Sequence, residues 1–344
     1  MQIINNNIDA LRGVAVILVF LFHVQLFNYG FIGVDIFFCI SGFLITGSLL
    51  RSLRKNLEHS IVDFYEKRIL RIIPPLIPFY IISTFVSYLL ILDSERINFI
   101  KSSIFSLFFI GNIYNIYFIN YFSISNEFNP FGHLWSLSIE EQFYLFIAPL
   151  LLYSFTKKNN IIIIILLALS FLLFLISTKI NSNIDYVYPN TIFRGWELLS
   201  GVITRLYCEK KQKEFRFNTN YLILISLIFF AAISFFGFPI SEVYLWQIQT
   251  VLVTSLTVLF LIFSNSRYEC SRVLRPLHKL GRLSYGFYLY HYPIIVFFKW
   301  HFGTLNFKII FFIFILIYIL SYISYTYYES YFFKETSAIT SKRK

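Results

Sequence analysis

Ten apolar stretches of helical length leave this chain little choice of solvent. They fall at about 10–29, 31–50, 72–92, 138–156, 161–178, 192–207, 220–238, 246–263, 283–299 and 309–328. Crossing the hydrocarbon core of a bilayer takes about 17–25 apolar residues in helical form. Inside lipid every backbone N–H and C=O must be satisfied within the protein, so such segments are helices. The composition agrees: 57% of the residues are hydrophobic and 14% are charged, against about 25% charged in a soluble domain. The expected fold class is an all-α polytopic integral membrane protein with about ten transmembrane helices.

Net charge is +11, but no basic fold or patch points to nucleic acid. The excess follows the positive-inside pattern. With ten spans and both termini in the cytoplasm, all but six of the 29 Lys and Arg fall in inner loops, inner helix ends or the C-terminal tail. The six outside are Arg96, Lys101, Lys179, Arg194, Lys299 and Lys308. An eleventh apolar candidate, 103–119, is broken by Gly111, Asn112 and Asn115. Making it a full span would move the Lys157–Lys158 and Lys210 clusters outside, so it reads as re-entrant or interfacial. The expected division is a membrane domain over 1–333 and a short basic cytoplasmic tail over 334–344. No small-residue cleavage site follows the first apolar run, so that run is expected to stay as the first span. Cys39, Cys208 and Cys270 show neither disulfide nor metal-ligand spacing. No metal is expected.

Intramembrane polar residues carry the functional signal. Arg12 and His23 lie eleven residues apart in IDALRGVAVILVFLFHV. Eleven helical steps come to about 1,100°, within roughly 20° of whole turns, so both share one face about 16 Å apart. Asp9 reads as the N-cap of that helix. Asp35 opens the second span at the level of His23, where an acid could fix the tautomer of an imidazole. Ser41, Gly42 and Thr46, further along, suit close helix packing. In FYEKRILRIIPP, Arg68 and Arg71 are helical neighbours, and Pro74 and Pro75 punctuate the segment. Two guanidinium groups there could clamp phosphate or simply anchor the inner face. Ser136 and Glu140 share a face of the fourth span, and Glu140, Glu141 and Gln142 cannot all face lipid. Arg194 and Glu197 read as an ion pair three residues apart. His291, two residues before Pro293, reads either as a polar lining residue or as partner to the carbonyl that proline frees. His133 and His301 read as interfacial.

These segments, in this order, resemble integral-membrane acyltransferase family 3, the bacterial surface-polysaccharide O-acetyltransferases. IDALRGVAVILVFLFHV is similar to its Arg-x10-His signature, and GVDIFFCISGFLI, RILRIIP, HLWSLSIEEQFYL, RGWELLSG and LGRLSYGFYLYHYPIIVF to later blocks. The resemblance covers about 8–329. One departure is that Glu329 is followed by Ser330 and Tyr331 rather than by a proline two residues on. A second is that no counterpart of the extracytoplasmic SGNH-type domain of larger members is expected in these residues.

The resemblance implies an acyltransferase of the bacterial inner membrane. Its donor would be cytoplasmic acetyl-CoA or another acyl-CoA, and its acceptor a hydroxyl of a lipid-linked or surface glycan, O-antigen or capsule first. It marks Arg12 and His23, Arg68 and Arg71, and Ser136 and Glu140 as the functional pairs. Our own expectation beyond the resemblance is that Arg12, Arg68 and Arg71 bind the donor and that His23, Ser136, Glu140 and Asp35 form the catalytic set, with membrane lipid the remaining partner. Two other readings stand beside it: a lipid-linked sugar transporter or flippase, and a structural membrane protein without catalysis.

Overall fold

The computed structural model describes residues 6–55, 57, 59–90, 96–118, 129–181, 183–211, 243–264 and 274–332. The expected span at 220–238, Cys270 and the whole C-terminal tail over 334–344 lie outside the described residues. The helices are α1 (Asn6–His23), α2 (Ile32–Lys55), α3 (Ser60–Leu90), α4 (Arg96–Leu107), α5 (Gly111–Tyr117) and α6 (Trp135–Lys157). After them come α7 (Ile161–Ile180), α8 (Ile184–Val187), α9 (Thr191–Lys211), α10 (Val243–Ser264), α11 (Arg275–Arg282), α12 (Ser284–Phe302) and α13 (Phe307–Ile323). A 3-10 turn, Gly132–Leu134, leads into α6, and a π-helical stretch, Ser324–Glu329, follows α13.

Among the described residues six helical stretches are long and apolar enough to cross a membrane: Asn6–His23, Ile32–Lys55, Ser60–Leu90, Ile161–Ile180, Tyr244–Ser264 and Phe307–Phe332. The expected spans at 138–156, 192–207 and 283–299 also form helices, α6, α9 and α12. Between them these three carry Glu140, Glu141, Arg194, Glu197 and His291. The segment 103–119 is not one helix. The backbone turns at Phe109, whose φ is +56°, and splits it between α4 and α5, each too short to span.

Two expectations are corrected. Pro74 and Pro75 do not end a helix; α3 runs through them and through Pro78 for 31 residues. Prolines withhold N–H groups from the carbonyls one turn earlier. Membrane helices tolerate such prolines because neighbouring groups and local adjustment satisfy the freed carbonyls, here those of Leu70, Arg71 and Pro74. Asp9 is not an N-cap. The helix already includes Asn6, and Asp9 sits in its first turn, where a carboxylate favours the positive end of the helix dipole.

The chain divides into two compact units, Met1–Gly47 with Ser154–Ser284, and Ser48–Tyr153 with Tyr285–Lys344. In the first, α1 packs on α11 and α10, and α9 packs on α7 and α10. Gly42 of α2 allows backbone contact with α9: a Cβ there would lie 1.9 Å from the Leu198 carbonyl oxygen. In the second unit, α3 packs on the π-helical stretch and α5 on the 3-10 turn. Its core gathers Leu76, Phe79, Phe99, Phe131, Leu134 and Leu289.

Candidate active site

The expected site residues divide between the two units. Arg12, His23 and Asp35 belong to the first; Arg68, Arg71, Ser136 and Glu140 belong to the second.

In the first unit, Arg12 and His23 ride on one uninterrupted helix. His23 is its last residue, half-buried, with its ring edge-on to Phe22 at 5.1 Å. Asp35 is fully buried and its carboxylate is bound by Arg194. Arg194 also pairs with Glu197, its Nε 2.8 Å from Oε1, which is the expected i, i+3 ion pair. The rings of Tyr188, Phe38 and Trp246 surround the guanidinium, their centroids 4.8, 5.3 and 5.6 Å from its carbon. A charge placed deep in a membrane helix is costly unless paired. Arg194 is paired twice, and the Asp35 carboxylate foreseen as a tautomer-fixing partner for an imidazole is the second counter-ion.

In the second unit, one face of α6 carries Ser136, Glu140 and Tyr144 at steps of four. The Tyr144 hydroxyl donates to Glu140 Oε2 at 2.5 Å. The face of the same ring stacks on Arg68, whose guanidinium carbon lies 3.9 Å from the centroid. Arg68 also lies 3.8 Å from Glu141. Gln142 donates to the Phe109 carbonyl at 2.9 Å and to Asn112 Oδ1 at 2.8 Å. Glu140, Glu141 and Gln142 therefore all have partners within the protein. The charges of Arg68, Arg71, Glu141 and Glu329 all act on the phenol of Tyr285. Tyr144 thus joins two motifs that are far apart in sequence, and its i, i+4 spacing from Glu140 was the signal that could have found it.

Ser136 meets Tyr288, oxygen to oxygen, at 2.5 Å, and the Tyr288 hydroxyl donates to the His133 carbonyl at 2.9 Å. That carbonyl can only accept, so the Tyr288 proton is committed to it and Ser136 is the donor in the first bond. His133 is buried within the protein. It is 1% exposed, with the rings of His291, Tyr292 and Tyr288 at 5.4, 5.2 and 5.5 Å. The reason is local: Phe131 and Leu134 flank it in the 3-10 turn, and both are core residues. Burial, then the neighbouring His291, pushes the His133 pKa well below the usual imidazole range. His291 Nδ1 sits 2.6 Å from the Tyr288 carbonyl, one residue before the carbonyl that Pro293 deprives of its helical donor.

Residues 5–326 match the model of the acyltransferase domain of acyltransferase family 3. The chain is 31% identical over 311 residues to O-acetyltransferase OatA of Staphylococcus aureus, covering 85% of this chain and 50% of that protein. It is 32% identical over 313 residues to peptidoglycan O-acetyltransferase OatA of Listeria monocytogenes, covering 84% of this chain and 49% of that protein. The chain thus spans about half the length of these curated relatives. No solved structure matches. With its motifs in register from the first helix to the last, this multi-pass membrane protein belongs to acyltransferase family 3.

Proposed function

We propose that the chain is a membrane O-acetyltransferase that moves an acetyl group from acetyl-CoA to a hydroxyl of a cell-surface glycan. In the transfer the acceptor oxygen bonds to the thioester carbonyl carbon, the carbon–sulfur bond breaks, and the acceptor proton leaves with the thiol. His23 is the proposed general base for that proton. Arg12 is proposed to hold a donor phosphate at the other end of the same helix. The observation that carries this reading is the uninterrupted α1 with both residues on one stripe. Its rise of about 16 Å between them is comparable to a pantetheine arm, roughly 15–20 Å by bond geometry. Arg68 and Arg71, which the family resemblance marks as functional, are proposed to bind donor phosphates, and Ser136 and Glu140 to share in the chemistry.

The printed names of the relatives favour peptidoglycan as the acceptor over the O-antigen or capsule glycan expected from the sequence alone. The proposed setting is the bacterial inner membrane, with ten crossings and both termini cytoplasmic. Inverted vesicles supplied with radiolabelled acetyl-CoA test the reading. Wild type should label glycan, and His23→Ala should lose at least about a hundredfold of that rate while inserting normally. Full activity in His23→Ala would overturn the role of His23. A transporter or a structural protein would label nothing.

A further inference from the structure

Two guanidinium groups and an imidazole converge on one carboxylate at the start of α1. Arg12 Nη1 lies 3.5 Å from Asp9 Oδ1, His278 Nε2 3.6 Å from Oδ2, and Arg282 Nε 3.8 Å from Oδ2. Charge-assisted bonds close at about 2.7–2.9 Å, so none of the three is fully made. Among the described residues Asp9 is the only carboxylate these three side chains meet. Each guanidinium carries five N–H donors in a fixed fork. Among the described residues most of that donor capacity stays unused, and two guanidinium charges outweigh the one carboxylate.

The three side chains are held on a stiff frame. A Cβ on Gly281 would lie 1.7 Å from the Asp9 carbonyl oxygen, and one on Gly13 would lie 2.1 Å from that of Leu277. α11 therefore lies backbone to backbone on α1, buries Leu280 and leaves Arg282 exposed. Such a fork pair suits a tetrahedral dianion, which accepts from two guanidinium groups at once.

We propose that Arg12, His278 and Arg282 form a phosphate-binding site on the first unit, with Asp9 holding the two guanidinium groups and the imidazole in register between occupants. The ligand class is a phosphate ester, supplied either by coenzyme A or by an anionic lipid headgroup. The coenzyme source rests on the donor reading above; the site itself does not.

The full chain in nanodiscs tests this, with coenzyme A and dephospho-coenzyme A as soluble probes. Phosphatidylcholine discs with and without phosphatidylglycerol supply the lipid arm. Wild type should bind coenzyme A about tenfold more tightly than the dephospho form, the worth of one charged contact. Arg282→Gln should cut that preference to about threefold or less, and Arg282→Lys, which keeps the charge but loses the fork, should fall between. If Arg282→Gln instead keeps the preference but abolishes stabilisation by phosphatidylglycerol, the phosphate is a lipid's and the site stands. If wild type ignores coenzyme A while the lipid response needs Arg282, the donor reading falls and the site stands. If Arg282→Gln and His278→Gln leave both the coenzyme preference and the lipid response at wild-type values, the proposal is overturned.

Discussion

Tyr144 does two separable things: its hydroxyl orients Glu140 and its face carries Arg68. Tyr144→Phe removes only the first. A hydrogen bond to a charged group is worth about 1.5–3 kcal/mol, so kcat should fall about tenfold or more while the donor KM stays near wild type. Tyr144→Leu removes the stacking as well and should also raise the donor KM. A steady-state comparison of the two variants separates these effects, and equal KM values would show that Arg68 does not depend on the ring. Arg194 makes the opposite case, a residue whose loss is felt by the whole unit. Arg194→Ala would leave Asp35 and Glu197 buried without their cation. Breaking a buried pair costs about 3–5 kcal/mol, read as a lowered midpoint in detergent melts. At this scale the sequence was legible only over short spacings. Arg194 and Glu197, three apart, could be paired by inspection. Asp35 lies 159 positions from its guanidinium, and no local period links them. The burial of His133 was not legible, because only the fold shows that its neighbours Phe131 and Leu134 are core residues.

Helices meet here where side chains are missing. The Gly42 carbonyl also receives the Thr46 hydroxyl at 2.8 Å, so the small residues near the middle of α2 serve both packing and backbone satisfaction. Gly42→Leu would force α2 off the Leu198 carbonyl of α9. Overpacking of this kind costs about 1–3 kcal/mol or more, and reduced yield of folded protein together with a lower melting midpoint would register it. Substituting exposed Leu145 on α6 by Ile should change neither. The small-residue pattern of α2 was readable in advance because close approach demands particular residue types. The continuation of α3 through Pro74, Pro75 and Pro78 was not. Whether a proline ends a helix depends on what satisfies the freed carbonyls in the folded protein, and no local sequence pattern states that.

Across the whole molecule, acid should be destabilising. His133 is held well below the usual imidazole pKa by burial and by His291. His278 is lowered by burial and Arg282, with Asp9 opposing. When a folded pKa lies below the unfolded one, the unfolded chain takes up the proton first. The stability each neutral imidazole contributes is therefore complete above about pH 6.5 and declines as pH falls below it. Melting midpoints between pH 7.5 and 5 should drop, and His278→Gln should flatten part of that slope. The same molecule-wide view bears on biogenesis. α9 emerges from the ribosome with Arg194 and Glu197 in an otherwise apolar run, and one guanidinium answers both Glu197 and Asp35. The helix that carries Asp35 is synthesised long before its cation exists. A nascent α2 must wait in the translocon or beside an insertase with an unneutralised acid. Quality-control proteases would meet that waiting state first, so Asp35→Asn should lengthen the lifetime of chains truncated ahead of α9, a pulse-chase result that Arg194→Ala could not reproduce.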